Sequence, residues 1–247
     1  MEQEIAKCFR VKGIATLYNP CDLAGIEQLA RQTVSEPFRS FLERPGKTIV
    51  SMGRAHDVKG FWHLIKSFYL VKKQVPDLKL MIIGDGDYRA YEELARALGI
   101  RDDVLCTGIL QNPFPLLARA DLYALTSQSE GFPNALIEAM ACGIPCISVN
   151  CKTGPAEILQ ENYMVCADQH KVYYADYGIL MPVFQGEKNL ETDRFSVEEE
   201  IFAQEMEKIL TDDVLYQHYR ETAAKRARAF GTEKYLKNLV KMIEEEW

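Results

Sequence analysis

The chain has 247 residues, of which 47% are hydrophobic and 26% charged, a composition that excludes disordered and collagen-like chains and fits one large globular domain or one and a half. Its formal net charge is −7, with −5 falling from Glu187 onward, so there is no broad basic face to bind nucleic acid. No apolar run approaches the ~20 residues of a membrane helix, and an odd seven cysteines without a signal-peptide pattern predict a reducing, cytoplasmic setting.

In chain order, "GIATLYNP" predicts a lone strand ended by Asn19-Pro20, with an exposed apolar surface near Ile14–Tyr18 that would need a partner. "CDLAGIEQLARQ" follows as a helix capped by Asp22 or a neighbour. From Thr48 onward strands and helices alternate. "TIVSMG", "LKLMIIGDG", "DVLCTG", "DLYALTS", "PCISV" and "YGILMP" read as strands. Between them "GFWHLIKSFYLVKKQ", "YRAYEELARALGI", "NPFPLLARA", "PNALIEAMACG" and "GPAEILQ" read as helices or helix starts. Buried strands alternating with helices predict βαβ units: an α/β, Rossmann-like, doubly wound parallel sheet. After the polar loop beyond Pro182, helices at 197–210, 214–230 and 232–246 predict a C-terminal helical tail. The expected divisions are residues 1–20, a linker helix at 21–46, the sheet domain at 47–185 and the C-terminal helices at 186–247.

The loops rich in glycine and charge all fall at strand ends, where ligands of such sheets bind. In "SEGFPNALIEAMACGIPCIS", Pro133 is expected at the first helical position, which aims the amides of Phe132, Asn134 and Ala135 at an anion. Gly131 allows close backbone approach. Glu130 precedes the helix and Glu138 lies about 8 Å along it, so one extended ligand could touch both; alternatively they are a loop acid and a solvated helix acid. Arg54 and Lys59 leave the first strand together, two cations suited to a diphosphate or two ordinary surface bases. Gly84-Asp85-Gly86 lacks the third glycine of a dinucleotide fingerprint, and Asp85-Gly86-Asp87 reads as a turn rather than a metal-binding DxD. Cys142, Cys146 and Cys151 cluster without CxxC spacing or a nearby histidine and read as buried apolar side chains.

Taken together, "GRAHDVKG" at 53–60, "IGDG" at 83–86, Thr107-Gly108 and the 129–148 stretch resemble glycosyltransferase family 4, whose members are retaining, nucleotide-sugar-dependent enzymes of the GT-B fold. "NPCD" at 19–22 is similar to the junction between that family's two domains. The resemblance implies that Arg54 and Lys59 hold and stabilise the leaving diphosphate and that Glu130 hydrogen-bonds the donor sugar. It implies that Glu138 binds the ribose, that Gly53 and the backbone at Gly131, Phe132, Pro133, Asn134 and Ala135 contact sugar and phosphate, and that Leu110 lies against the base. The implied donor is a nucleotide-diphosphate sugar, a UDP-sugar foremost, with no further cofactor and no metal. With a junction already at residue 20, the resemblance further implies that the acceptor-binding N-terminal domain is missing, and that a glycan or lipid-linked acceptor reaches the site through it. Self-association through the exposed junction strand is expected, and a peripheral position at the inner membrane face for a full-length form. Three functions stay open: a hexosyltransferase half acting in polysaccharide or glycolipid assembly, a non-catalytic nucleotide-sugar-binding module, and a hydrolase using Glu130 and Glu138 as a carboxylate pair.

Overall fold

In a computed structural model, which describes residues 15–244, the sheet strands are β1 Thr48–Met52, β2 Lys79–Ile83, β3 Val104–Cys106, β4 Leu122–Leu125, β5 Cys146–Val149, β6 Tyr173–Ala175 and β7 Gly178–Met181. Their spatial order is β3-β2-β1-β4-β5-β7-β6. Every neighbouring pair is parallel except β6–β7. The helices are α1 Leu23–Ala30, α2 Phe38–Glu43, α3 Phe61–Lys72, α4 Arg89–Ala97, α5 Phe114–Leu117, α6 Asn134–Ala141, α7 Pro155–Leu159, α8 Val197–Thr211, α9 Asp213–Ala227 and α10 Thr232–Glu244.

Period-two side-chain alternation gives the sheet two apolar faces. Ile49, Leu80, Leu122 and Ile147 point to one face, where α3, α4 and α8 cover them. Val50, Met81, Tyr123 and Leu180 point to the other, under α1, α2, α5, α6 and α7. Helix α9 spans the two, with Tyr219 in the first core and Ala223 and Ala227 in the second. Right-handed crossovers produce this layering. A buried hydrogen bond between His63 Nδ1 and Glu199 Oε1, at 2.6 Å, fixes α8 against α3. Among the described residues no helix is long and apolar enough to cross a membrane.

The predicted strands and helices form where their periodicity places them, with four departures. Residues 15–20 form no strand; just after them Cys21 makes an isolated parallel bridge to Gly231. Gly13 and Ile14 lie outside the described residues, and Tyr18, expected to be exposed, is half-buried against Phe132 and Phe230. The linker at 21–46 holds two helices, α1 and α2, the first capped by the Asp22 carboxylate accepting from Gly25 N at 3.0 Å. The sixth predicted strand is preceded by an antiparallel edge partner, β6, whose "YYA" carries no alternating pattern. Last, Pro133 caps α6 with extended backbone (ψ 94°) and leaves the first helical position to Asn134.

One residue sets how closely the ends of β1 and β4 approach. Gly60 starts α3 with φ 61°, and a Cβ on it would stand 2.4 Å from the Thr126 carbonyl oxygen. The prediction is that Gly60→Ala, which adds both left-handed strain and this clash, destabilises the chain by about 2 kcal/mol or more. Urea unfolding midpoints at an unchanged slope measure it, and an unchanged midpoint would show that the two loops are not packed this tightly.

Candidate functional site

From β1 the chain continues through β2 and β3 to one side of the sheet, and from β4 through β5 and β7 to the other. Connections that diverge in this way leave a crevice at the carboxyl ends of the two strands, the usual ligand site of such sheets. The loops after β1 and β4 form its walls and are stitched together by Gln128 N donating to Val58 O (2.8 Å) and Thr126 Oγ1 to Lys59 O (3.0 Å).

Across the crevice, Lys59 Nζ donates to Glu130 Oε1 at 2.7 Å, the side chains being 23% and 11% exposed. The Lys59 stem lies over Gly53, whose missing Cβ would sit 3.2 Å from it. Gly53 contributes space here rather than a free amide, because its N–H already donates to Ile83 O at 2.9 Å and its carbonyl accepts from Tyr88 Oη at 2.8 Å. Arg54 is exposed at the rim, and among the described residues no carboxylate takes up its guanidinium.

Below the pair, the loop from Glu130 feeds α6. With Pro133 as the cap, the amides of Asn134 and Ala135 head the helix and have no acceptor among the described residues, while Leu136 N turns back to Pro133 O at 3.0 Å. Free amides at the positive end of a helix favour an anion. Glu138 stands one turn further on, half-buried and without a hydrogen-bonding partner among the described residues. Burial raises its carboxyl above the ordinary range. It lines a cavity of about 180 Å³ with Asn19, Asp22, Ile26, Leu29 and Phe114. There it also faces Cys21, whose thiol burial pushes up to about 11, with smaller contributions from the Glu138 and Asp22 charges.

Leu110 is placed elsewhere. It lines a separate cavity with Gln32, Val34, Phe38 and Asn112, so the space continuous with Glu138 is walled by Phe114 and α1 instead. The Gly84–Asp87 segment is a turn. Asp85 Oδ1 accepts from Gly86 N at 2.8 Å, its carbonyl accepts from Ala55 N at 2.7 Å, and hydrogen bonds from Arg89 hold the Asp87 carboxyl down at about 2. Sequence reasoning missed Tyr18, Asn19, Phe114 and Thr153, which reach the site from distant elements without any local pattern. Glu157 carried a signal that was legible, the Gly-Pro-x-Glu start of α7.

The family model for glycosyl transferases group 1 matches residues 35–176. An uncharacterized glycosyltransferase of Methanocaldococcus jannaschii is 32% identical over 230 residues, covering 92% of this chain and 56% of that protein. A Campylobacter jejuni protein named as an N-acetylgalactosaminyltransferase acting on a diphospho-undecaprenol-linked sugar is 28% identical, covering 92% of this chain and 52% of that protein. The chain thus spans about half the length of these relatives. The same fold occurs in S. aureus TarM, crystallised with UDP, fondaparinux and alpha-GlcNAc-glycerol (TM-score 0.72, 20% identity, 99% of this chain and 42% of that one). It is the Rossmann-like architecture of GT-B glycosyltransferases.

Glu138 gives a pH prediction with a definite sign. A carboxyl raised by burial holds its proton more firmly in the folded than in the unfolded chain. Its contribution to stability is therefore present at low pH and lost as pH rises through the raised value. Glu138→Gln is expected to raise the thermal midpoint at pH 7, with the gain shrinking as the pH falls to about 4. A pH series of thermal unfolding curves measures this, and a variant less stable than the parent at pH 7 would contradict it.

Proposed function

The chain belongs to the glycosyl transferases group 1 family, and from that membership and the charged crevice we propose that it supplies the donor-binding half of a retaining, family 4 hexosyltransferase. The observation that carries the reading is that Lys59 and Glu130 pair across the strand-end crevice, with the start of α6 and the Glu138 cavity following from the same loop and Arg54 exposed on the facing one. The diphosphate would lie against the Asn134 and Ala135 amides under Arg54 and Lys59. The ribose would meet Glu138, and the base would enter the cavity walled by Phe114 and α1 or rest against Leu110. Glu130 would accept from donor-sugar hydroxyls.

The chemistry asked of this chain is charge stabilisation. As the bond from the anomeric carbon to the β-phosphate oxygen breaks, negative charge grows on the diphosphate. Preorganised amides and cations stabilise it without rearranging. The acceptor hydroxyl bonds to the anomeric carbon on the face the diphosphate leaves, and its proton passes to the departing phosphate oxygen. The acceptor, a glycan or a lipid-linked sugar as the name of the Campylobacter relative has it, would be recognised by polypeptide outside the described residues, at the cytoplasmic membrane face. UDP is the donor nucleotide to test first, since it is the one crystallised with TarM.

The Lys59–Glu130 pair makes the prediction sharp in sign. Glu130 is an anion beside the place proposed for another anion, and like charges about 4 Å apart repel by about 1 kcal/mol even at water's dielectric constant. Titration calorimetry with UDP and UDP-glucose is expected to show Arg54→Ala and Glu138→Ala weakening both ligands about tenfold or more, as losses of charge-assisted hydrogen bonds do. Glu130→Gln should bind UDP about fivefold tighter while losing the added affinity of the sugar. If Arg54→Ala and Glu138→Ala bind as the parent does, the site assignment fails.

A further inference from the structure

The loop from Glu130 to Asn134 has little support of its own. Gly131 and Asn134 are exposed, and the helix it feeds is capped by a proline without a side-chain hydrogen bond. What holds it comes from two distant segments. From below, Thr153 Oγ1 donates to the Glu130 carbonyl at 2.5 Å. Gly154, at φ 90°, lies so close that a Cβ there would stand 2.6 Å from Pro133 Cδ and 2.8 Å from Gly131 O. From above, the Tyr18 ring stacks on Phe132 (centroids 4.6 Å apart, planes 15° apart), and both meet Phe230 edge-on at 5.9 and 5.5 Å. Asn19 Nδ2 donates to Asn134 Oδ1 at 3.2 Å.

One carboxylate joins the two supports. Glu157 Oε2 accepts from Tyr18 Oη at 2.7 Å, and Glu157 Oε1 accepts from Gly154 N at 3.3 Å. The loop is clamped between an aromatic ring above and a tight glycine below, and Glu157 sets the spacing of the clamp. Neither Tyr18 nor Glu157 stands among the groups proposed to touch the donor.

We propose that Tyr18 and Glu157 are positioning residues that hold the Glu130–Asn134 loop, and through it the Glu130 carboxylate and the free helix-end amides, in register with the diphosphate and sugar of the donor. The proposal rests on the donor-site reading above. It has a further consequence: because Tyr18 belongs to the 15–20 segment and not to the sheet, whatever repositions that segment retunes donor affinity through the Tyr18–Phe132 stack. The polypeptide that recognises the acceptor can act on the donor loop by this route.

The test uses the full chain with uridine, UDP and UDP-glucose as probes, and the variants Tyr18→Phe, Glu157→Ala and their combination. Tyr18→Phe keeps the ring stack and removes only the hydroxyl, so it retains the fold. Loss of one hydrogen bond that positions rather than contacts is expected to weaken UDP and UDP-glucose about threefold to tenfold and leave uridine unchanged, since uridine carries neither the diphosphate nor the sugar that the Glu130 carboxylate and the helix-end amides would meet. The double variant should lose no more than Glu157→Ala alone, because that substitution already removes the bond that Tyr18→Phe removes. Tyr18→Leu should fall below Tyr18→Phe, and Tyr18→Trp, which restores a stacking ring without the hydroxyl, should recover to the Phe level. Equal losses for all three probes would mean general damage and overturn the proposal, as would additive losses in the double variant. If the parent binds UDP and both single variants bind it equally well, the positioning role alone falls. If the parent binds no probe, the donor-site reading falls and takes this inference with it.

Discussion

Two neighbouring parallel strands whose chains must leave in opposite directions create the constraint on which this structure turns. β1 and β4 lie side by side, yet one leads on to β2 and β3 and the other to β5 and β7. The connections that leave their carboxyl ends run to opposite sides, so both ends open into a crevice that only loops can fill. The loops here are short and interlocked. Gly60 lets the β1 loop approach the Thr126 carbonyl, and two hydrogen bonds seal the contact. Lys59 and Glu130 are then forced into an ion pair across the opening, while the start of α6 and Arg54 have no partner among the described residues. The cations, the acids and the helix end share one place because the topology allows them no other.

That arrangement holds charge in tension. Lys59 is neutralised by Glu130, whereas among the described residues no carboxylate meets Arg54 and Glu138 is kept partly out of water without a hydrogen-bonding partner. A half-buried unpaired carboxylate costs stability at neutral pH, and such a cost concentrates where function needs a group poised for a ligand. The neighbouring thiols of Cys21 and Cys142 are pushed up to about 11 and about 12 by burial, which leaves them protonated and inert at neutral pH. Reactivity in this region therefore belongs to the oxygen anions and the cations, not to sulfur.

Much of the fold was legible because buried parallel strands are short β-branched runs and their helices keep a 3.6-residue period. Thr48–Met52, Lys79–Ile83 and the three long C-terminal helices stand where the pattern puts them. The illegible parts depend on contacts with no local signature. "YYA" pairs with β7 only because a hairpin returns it to the sheet edge. "GIATLYNP" has strand-like composition, but in residues 15–20 it serves as a tether whose Tyr18 finds Phe132 and Phe230 across more than a hundred residues of chain. At the site, residue types and strand-end spacing picked out Arg54, Lys59, Glu130 and Glu138. They gave no access to the cavity beside Glu138, because Asn19, Phe114 and the α1 residues that wall it come from separate elements. The same limit explains Pro133: its preference for a helix start is local, but whether it caps the helix or opens it depends on the loop packed against Gly154.

The central claim is that the β1–β4 crevice is where a nucleotide sugar binds. Amide hydrogen exchange of the chain with and without saturating UDP-glucose tests it most directly. The account predicts slowed exchange at 53–60 and at 130–138, where backbone groups lie on both walls, and little change at the 84–89 turn or in the C-terminal helices. Protection centred on that turn, or spread evenly over the chain with no focus on the two walls, would contradict it.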